Sequence, residues 1–399
     1  MKIAIIVPNY PPTICGVGDY TYHKIQEFLK VGIEVHVICS AGQKPEPAAQ
    51  PIIYPMIKVW NVKGFKVVLN KLDAIKPDWV IVEYVPHGFE PHGLPIAVLG
   101  FYKKLTHQNY KILTVFHEVR VRPSNKLSSR FISAVETYLA RKIVEYSTKV
   151  VTSIDFYADL LRGPHENLET IPNISKINVI PIGTGIVPIE TNTTISESFK
   201  KHFNIPSNAP VIVTFGNRNI TEYLEAFDKL SQDIPNFIWL LCGKTSTPMN
   251  VLESRSYLRN TGKLSAKDIY YALSIGNIAF LPEPVNTQFE GGSSNKSTAL
   301  ACVFSLGVPI VGIKGDMNNV LLRDKENILL VNLNEPNNLY ESLKNALDTE
   351  GSSKQLGRNA YATYQNALSW NVIGQQFLEL IDVQTYNSVG FNSTGFTYR

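Results

Sequence analysis

Short, nearly continuous apolar runs alternate with helix-patterned stretches along the whole chain, and the alternation restarts halfway. Lys2–Val7, Glu34–Cys39, Asp78–Glu83 (DWVIVE), Lys111–Phe116 (KILTVF), Val150–Ser153 and Asn178–Ile182 form a first series. A second opens at Pro210–Gly216 and continues through Phe237–Cys242, Asn277–Leu281, Val308–Gly312 and Ile328–Asn332. Strands that are apolar throughout need cover on both faces, which predicts parallel sheets between helix layers, joined by right-handed crossovers. At 399 residues the chain also exceeds what one core usually supports. The expected class is α/β, with two Rossmann-like, doubly wound parallel-sheet domains facing each other across a cleft. Residues 1–187 would form the first and 188–370 the second, with a polar linker at Thr191–Thr194. A tail over 385–399, rich in Asn, Ser and Gly, is expected to fray.

Several classes drop out on composition. Hydrophobic residues make up 44% and charged residues 18%, which is globular rather than disordered. Apolar runs such as Ile96–Tyr102 are too short to cross a bilayer. The opening run, Ile3–Val7, is too short for a signal-peptide core, so a cytoplasmic protein is expected. Cys15, Cys39, Cys242 and Cys302 lie far apart, which excludes a zinc knuckle and a disulfide framework. Charge is unevenly placed: residues 1–185 hold 21 Lys and Arg against 15 Asp and Glu, and Lys103–Lys149 alone holds ten against three. That stretch suits an anionic membrane or a phosphate-bearing substrate, the alternative being a solvated helix face. No basic-aromatic motif accompanies it, so nucleic acid is not an expected partner.

Four motifs carry candidate chemistry. Gly16-Val17-Gly18-Asp19 follows the first strand, where glycines let backbone N–H groups approach a phosphate and Asp19 favours a helix start. The third glycine of a dinucleotide fingerprint is missing, and the next strand ends Cys39-Ser40-Ala41 without a ribose-binding carboxylate, which argues against a nicotinamide enzyme. His117, with Glu118 beside it, ends an apolar strand and can hydrogen-bond a sugar hydroxyl or carry a proton, or can be structural. His87 and His92, in Val85–His92, either share that chemistry or are loop residues without any. Gly216-Asn217-Arg218 ends the first strand of the second half, where an arginine can clamp a diphosphate. The fourth motif runs Glu290-Gly291-Gly292-Ser293-Ser294-Asn295-Lys296-Ser297 into an apolar helix. A Gly/Ser loop opening a helix offers unpaired N–H groups to an anion, and Lys296 adds a mobile positive charge; the rival reading is an ordinary capped helix. G-x-S-x-G, H-E-x-x-H and D-x-D are absent, which removes support for a serine hydrolase, a zinc protease and a metal-bridged diphosphate site.

Taken in order, these segments resemble the GT-B glycosyltransferases, specifically the retaining group-1, family 4-like enzymes. IAIIVPNYPPTICGVGDYTYH is similar to their opening strand, proline-rich segment and glycine loop. VETYLARKIVEYSTKVVTS, VIVTFGNRN, LLCGK (with Gly243 and Lys244), GKLSAKDIYYALSIGNIAFLPEP and LGVPIVG followed by DKENILLVN resemble successive later pieces, over about residues 2–382. Trp370 opens what looks like their terminal helix, residues 371–384, which returns to the first domain. The family's two glutamates eight positions apart are not reproduced: Glu290 serves as the first, and Cys302 stands where the second is expected. GGSSNKS is similar to the variant of the family with a basic residue in this loop, and Lys296 substitutes for a lysine usually found just after the arginine.

The resemblance implies transfer of a sugar from a nucleotide-diphosphate sugar, UDP by default, to a hydroxyl acceptor, with retention and without a metal or other cofactor. Arg218, Lys296 and the N–H groups near Ser293–Ser297 would stabilise the departing diphosphate, and His117 and Glu290 would hold donor-sugar hydroxyls. The glycine loop would approach the phosphates on closure. Asp19, Tyr84, His87 and Glu118 would face a sugar, lipid-linked or small-molecule acceptor in polysaccharide, glycolipid or other glycoconjugate synthesis. Two rivals are a nucleotide-sugar epimerase of the same architecture and a degenerate nucleotide-sugar-binding subunit.

Overall fold

The computed structural model describes residues 1–42, 50–163, 176–186, 189, 192–285, 291–348 and 350–383. The expected boundary at 187/188 and the tail at 385–399 lie outside them.

Seven parallel strands form the first sheet: β1 (Lys2–Ile6), β2 (Glu34–Ser40), β3 (Ile52–Ile57), β4 (Trp79–Tyr84), β5 (Lys111–Phe116), β6 (Lys149–Thr152) and β7 (Ile177–Val179). Their spatial order is β3-β2-β1-β4-β5-β6-β7, so the winding reverses between β1 and β4. The second sheet has six: β8 (Val211–Phe215), β9 (Ile238–Cys242), β10 (Leu258–Gly262), β11 (Ile278–Leu281), β12 (Ile310–Ile313) and β13 (Leu329–Val331). It runs β10-β9-β8-β11-β12-β13 and reverses between β8 and β11. Reversal points of open parallel sheets leave a crevice at the strands' carboxyl ends, where ligands bind.

Helices cover both faces of each sheet. In the first lobe these are α1 (Gly16–Lys30), α2 (Val62–Ile75), α3 (Pro86–Phe89), α4 (Ala97–His107), α5 (Leu127–Tyr146) and α6 (Asp155–Arg162). The second has α7 (Thr193–His202), α8 (Leu224–Asp233), α9 (Met249–Glu253), α10 (Ala266–Ser274), α11 (Thr298–Leu306), α12 (Asn338–Asp348) and α13 (Glu350–Thr363). The last helix, α14 (Trp370–Leu380), packs on α1 of the first lobe. Four apolar clusters result, one on each face of each sheet, and the strands of β1 supply both clusters of the first lobe through alternate residues such as Ile3, Ile5 and Ala4, Ile6.

Three departures from the sequence reading have physical causes. β3 and β10 are strands that the apolar pattern does not reveal. Each lies at an edge of its sheet: β3 is an apolar run, IIYPMI, broken by Pro55, which an edge strand tolerates, and β10 is the polar LRNTG, which an edge strand with a partner on one side alone allows. The expected polar linker continues into α7: Asn192 accepts from the Ile195 N–H as its N-cap, and Phe199 supplies a buried face. Finally, α1 begins at Gly16, so Gly16-Val17-Gly18 is its first turn rather than a loop before it.

Candidate active site

At the reversal point of the second sheet, β8 ends in Phe215 and the chain turns through Gly216, whose φ is +107°. Gly243 follows β9 with a φ of +128°, and a Cβ there would lie 2.8 Å from the Gly216 carbonyl oxygen. The two turns touch backbone to backbone, which only glycine permits. Asn217 and Lys244 are exposed beside them, and a small cavity is lined by Gly216, Arg218, Gly243 and Lys244. Arg218 lies across this crevice with its fork closed on Glu283, which follows β11, at 2.9 and 2.7 Å. Each partner is 19% exposed. A bidentate pair of this kind fixes the guanidinium plane and offsets its charge. The sequence reading did not single out Glu283, although a carboxylate between two prolines (Pro282 and Pro284) just beyond an apolar strand was a usable signal.

The Gly/Ser loop enters α11 nearby. Glu290 lies outside the described residues. Gly291 donates to the Asp316 carboxylate, and Gly292, at φ +82°, passes too close to Gly315 for a side chain. Ser293 is fully buried; its N–H donates to Ile313 O and its Oγ accepts from the Ile313 N–H. Ser297 caps α11 by accepting from the Leu300 N–H, so the capped-helix reading holds. The N–H groups of Ser294, Asn295, Lys296, Thr298 and Ala299 donate to no described residue. They lie at the positive end of a nine-residue helix. Ser294 and Asn295 are buried, and Asn295 donates through its amide to Asn319. Cys302 is buried inside α11, and burial pushes its thiol up to about 12.

This helix start lies at the lobe junction. Lys296 Nζ donates to the Tyr157 hydroxyl of α6 at 2.8 Å and sits 5.1 Å from that ring's centre. Among the described residues no carboxylate forms a salt bridge with Lys296, in contrast to Arg218. The Ile182 N–H donates to Asn295 O, and Arg122 donates to the sulfur of Met317, which is buried against first-lobe residues. Trp370 closes the junction from behind: its indole N–H donates to Thr184 O, and its ring stacks on His23.

In the first lobe, His117 follows β5 and is 9% exposed. Its Nε2–H donates to Glu83 Oε2 at 2.8 Å, and the other Glu83 oxygen accepts from Lys24 Nζ of α1. Lys24 and Glu83 are fully buried. Tyr20 meets the imidazole edge-on, and Phe377 of α14 lies under the ammonium at 4.7 Å. With Nε2–H directed at Glu83, Nδ1 is the atom left to meet a ligand. Burial pushes the Glu83 carboxyl up, and the Lys24 ammonium and His117 more than offset this, leaving it below its usual value. Neither Lys24 nor Glu83 was legible as part of a site, since they are 59 residues apart and Glu83 sits inside an apolar strand.

The remaining candidates separate. Gly18 is buried, and a Cβ there would lie 2.7 Å from Asn9 O, whereas Gly16 has open space around it. Asp19 is exposed in the first turn of α1; partial burial raises its carboxyl, against the pull of His23. Tyr84 is fully buried in the core, with a hydroxyl that meets no described partner and that burial pushes up. His87 and Glu118 are exposed and flank Glu136, a buried carboxyl of α5. Burial raises Glu136, and the Val121 N–H bound to it acts the other way. Among the described residues no three His, Cys, Asp or Glu side chains are grouped to hold a metal ion.

The sequence matches no known family profile and no curated protein. Solved structures do match over nearly the whole length. Sucrose-phosphate synthase from Thermosynechococcus elongatus is 16% identical, with a TM-score of 0.66 over 95% of this chain and 98% of that one. Alr3699/HepE from Anabaena, in complex with UDP-glucose, is 12% identical, with a TM-score of 0.65 over 95% and 98%. UDP-GlcNAc 2-epimerase from Neisseria meningitidis, bound to UDP-GlcNAc, is 15% identical, with a TM-score of 0.55 over 96% and 99%. With two all-parallel α/β lobes of seven and six strands, this chain has the GT-B fold of the glycosyltransferases.

Proposed function

We propose that the chain is a glycosyltransferase that moves a sugar from a nucleotide-diphosphate sugar, a UDP-sugar, to a hydroxyl acceptor. The second lobe takes the donor and the basic first lobe the acceptor. One observation carries this reading: N–H groups without a described acceptor at the start of α11 lie beside Lys296 at the lobe junction, where no described carboxylate pairs with that lysine.

In this reading the bond between the anomeric carbon and the diphosphate oxygen breaks as a bond to the acceptor oxygen forms on the same face. Positive charge builds on the sugar and negative charge on the diphosphate, so stabilising the leaving group lowers the barrier. Lys296 leaves Tyr157 to meet that charge, and the helix N–H groups add fixed donors. Arg218 contributes a guanidinium held in one plane by Glu283, and the acceptor proton passes to a diphosphate oxygen. No metal is needed, and configuration is retained. His117 presents Nδ1 to a donor-sugar hydroxyl. UDP-glucose bound to Alr3699/HepE, a protein of this fold, supports a UDP-sugar donor. The product belongs to polysaccharide, glycolipid or other glycoconjugate synthesis, carried out in the cytoplasm.

Purified protein offered a panel of nucleotide sugars and acceptors tests the assignment. Lys296→Ala should lower kcat about 10²–10³-fold, equivalent to ~2.7–4 kcal/mol of transition-state stabilisation, with little change in melting temperature. Unchanged turnover would remove Lys296 from the leaving-group site. The epimerase neighbour motivates a second reading, which interconversion of a UDP-sugar with no acceptor present would favour. Cys302, buried where a ribose contact would be expected, motivates a third: a subunit that binds nucleotide sugar without turnover.

A further inference from the structure

The first lobe carries an apolar stripe that no described part of the molecule covers. On α5, Leu127, Phe131 and Tyr138 are 82%, 66% and 59% exposed, and Ala134 between them is exposed as well. At ~100° per residue these four fall within about 60° of one another around the helix. The opposite face of the same helix is buried through Glu136, Leu139, Ala140, Ile143 and Val144, so the exposed apolar residues are not explained by core packing.

Cations flank the stripe. Lys126 and Arg130 lie on one side and Lys142, paired with Glu145, on the other, and α4, which packs beside α5, exposes Lys103 and Lys104. Of the three acids of this basic stretch, Glu136 is buried, Glu118 sits in the loop before α5, and Glu145, exposed at the far end of the stripe, offsets Lys142; Lys126, Arg130, Lys103 and Lys104 form no salt bridge among the described residues. A single-file apolar ridge bordered by cations matches the cross-section of a helix lying in a lipid headgroup layer, with its rings and leucine immersed and its cations at the phosphates. A second copy fits less well, because a two-fold contact would set the same cations against themselves.

We infer that the outer face of α5 docks this protein on an anionic membrane surface. This surface stands apart from the proposed reaction, since none of its residues belongs to the candidate active site. No described helix is long and apolar enough to cross a membrane, so the contact is peripheral.

Co-sedimentation of the full chain with vesicles tests it. Binding should be seen with phosphatidylcholine–phosphatidylglycerol vesicles at low salt, weaken at high salt, and be slight on phosphatidylcholine alone. Leu127→Ser with Phe131→Ser should weaken partition roughly tenfold or more. Lys126→Glu with Arg130→Glu should weaken it and flatten its salt dependence. Both pairs should keep wild-type turnover toward a water-soluble acceptor. Equal binding to neutral vesicles, no binding at all, or undiminished binding by the Leu127/Phe131 variant would overturn the inference. So would a wild-type dimer in ultracentrifugation that this variant dissociates. Vesicle binding without any sugar transfer would leave the docking surface standing and remove the proposed function alone.

Discussion

The histidine at the end of β5 owes its orientation to two buried ionised groups behind it. Glu83 is fully buried between Lys24 and His117, and its carboxyl is held below the usual 4.5 chiefly against the cost of burial. A carboxyl that titrates lower in the folded state than in the unfolded one adds stability above the unfolded value, and loses it as pH falls through the folded value. Stability should therefore drop on acidification below about 4.5 more steeply in the wild type than in a Lys24→Met, Glu83→Gln double variant, as read by urea melts across pH. Lys24→Met alone should cost about 3–5 kcal/mol, because it strands a buried carboxylate, and the double variant should cost less. A stability for Lys24→Met within error of wild type would mean that the pair is not what holds Glu83 charged. The sequence displays none of this: a lysine in an amphipathic helix and a glutamate in an apolar strand become partners only when α1 is laid on β4.

At the level of elements, the glycines of the first βα turn have different tasks. Gly18 brings α1 against Asn9 O, and Gly16 faces open space. Gly18→Ala should destabilise by about 1–3 kcal/mol in thermal melts, as overpacking does. Gly16→Ala should stay within ~0.5 kcal/mol of wild type, as a surface change does. Lost turnover in Gly16→Ala at unchanged stability would show that this turn approaches the donor. The central strands were legible because burial on both faces demands apolar runs, as over residues 3–6 of β1 and 79–82 of β4. The edge strands β3 and β10 were not, since a proline interrupts the first and polar residues make up most of the second. In the Gly/Ser loop the composition suggests an anion site, and the structure gives part of the loop to scaffolding: Ser293 ties it to β12, while the N–H groups of Ser294, Asn295, Lys296, Thr298 and Ala299 donate to no described residue.

For the molecule as a whole, the sequence displayed two restarted series of strands, and the folded chain shows how they are joined. Trp370 donates to Thr184 O, stacks on His23 and fills the space that Gly183 leaves. Trp370→Ala should destabilise the first lobe by about 3 kcal/mol, the low end for a tryptophan lost from packing, and separate the unfolding of the lobes in calorimetry. A single unshifted transition would show that α14 holds without it.

The chain passes from lobe to lobe twice, once after β7 and again before α14, and the indole-to-carbonyl bond fastens those passages to each other. Two covers bound along one spine swing more readily than they slide. A closing of the mouth is then expected to turn about Thr184 and Trp370, with its greatest travel at the far rim.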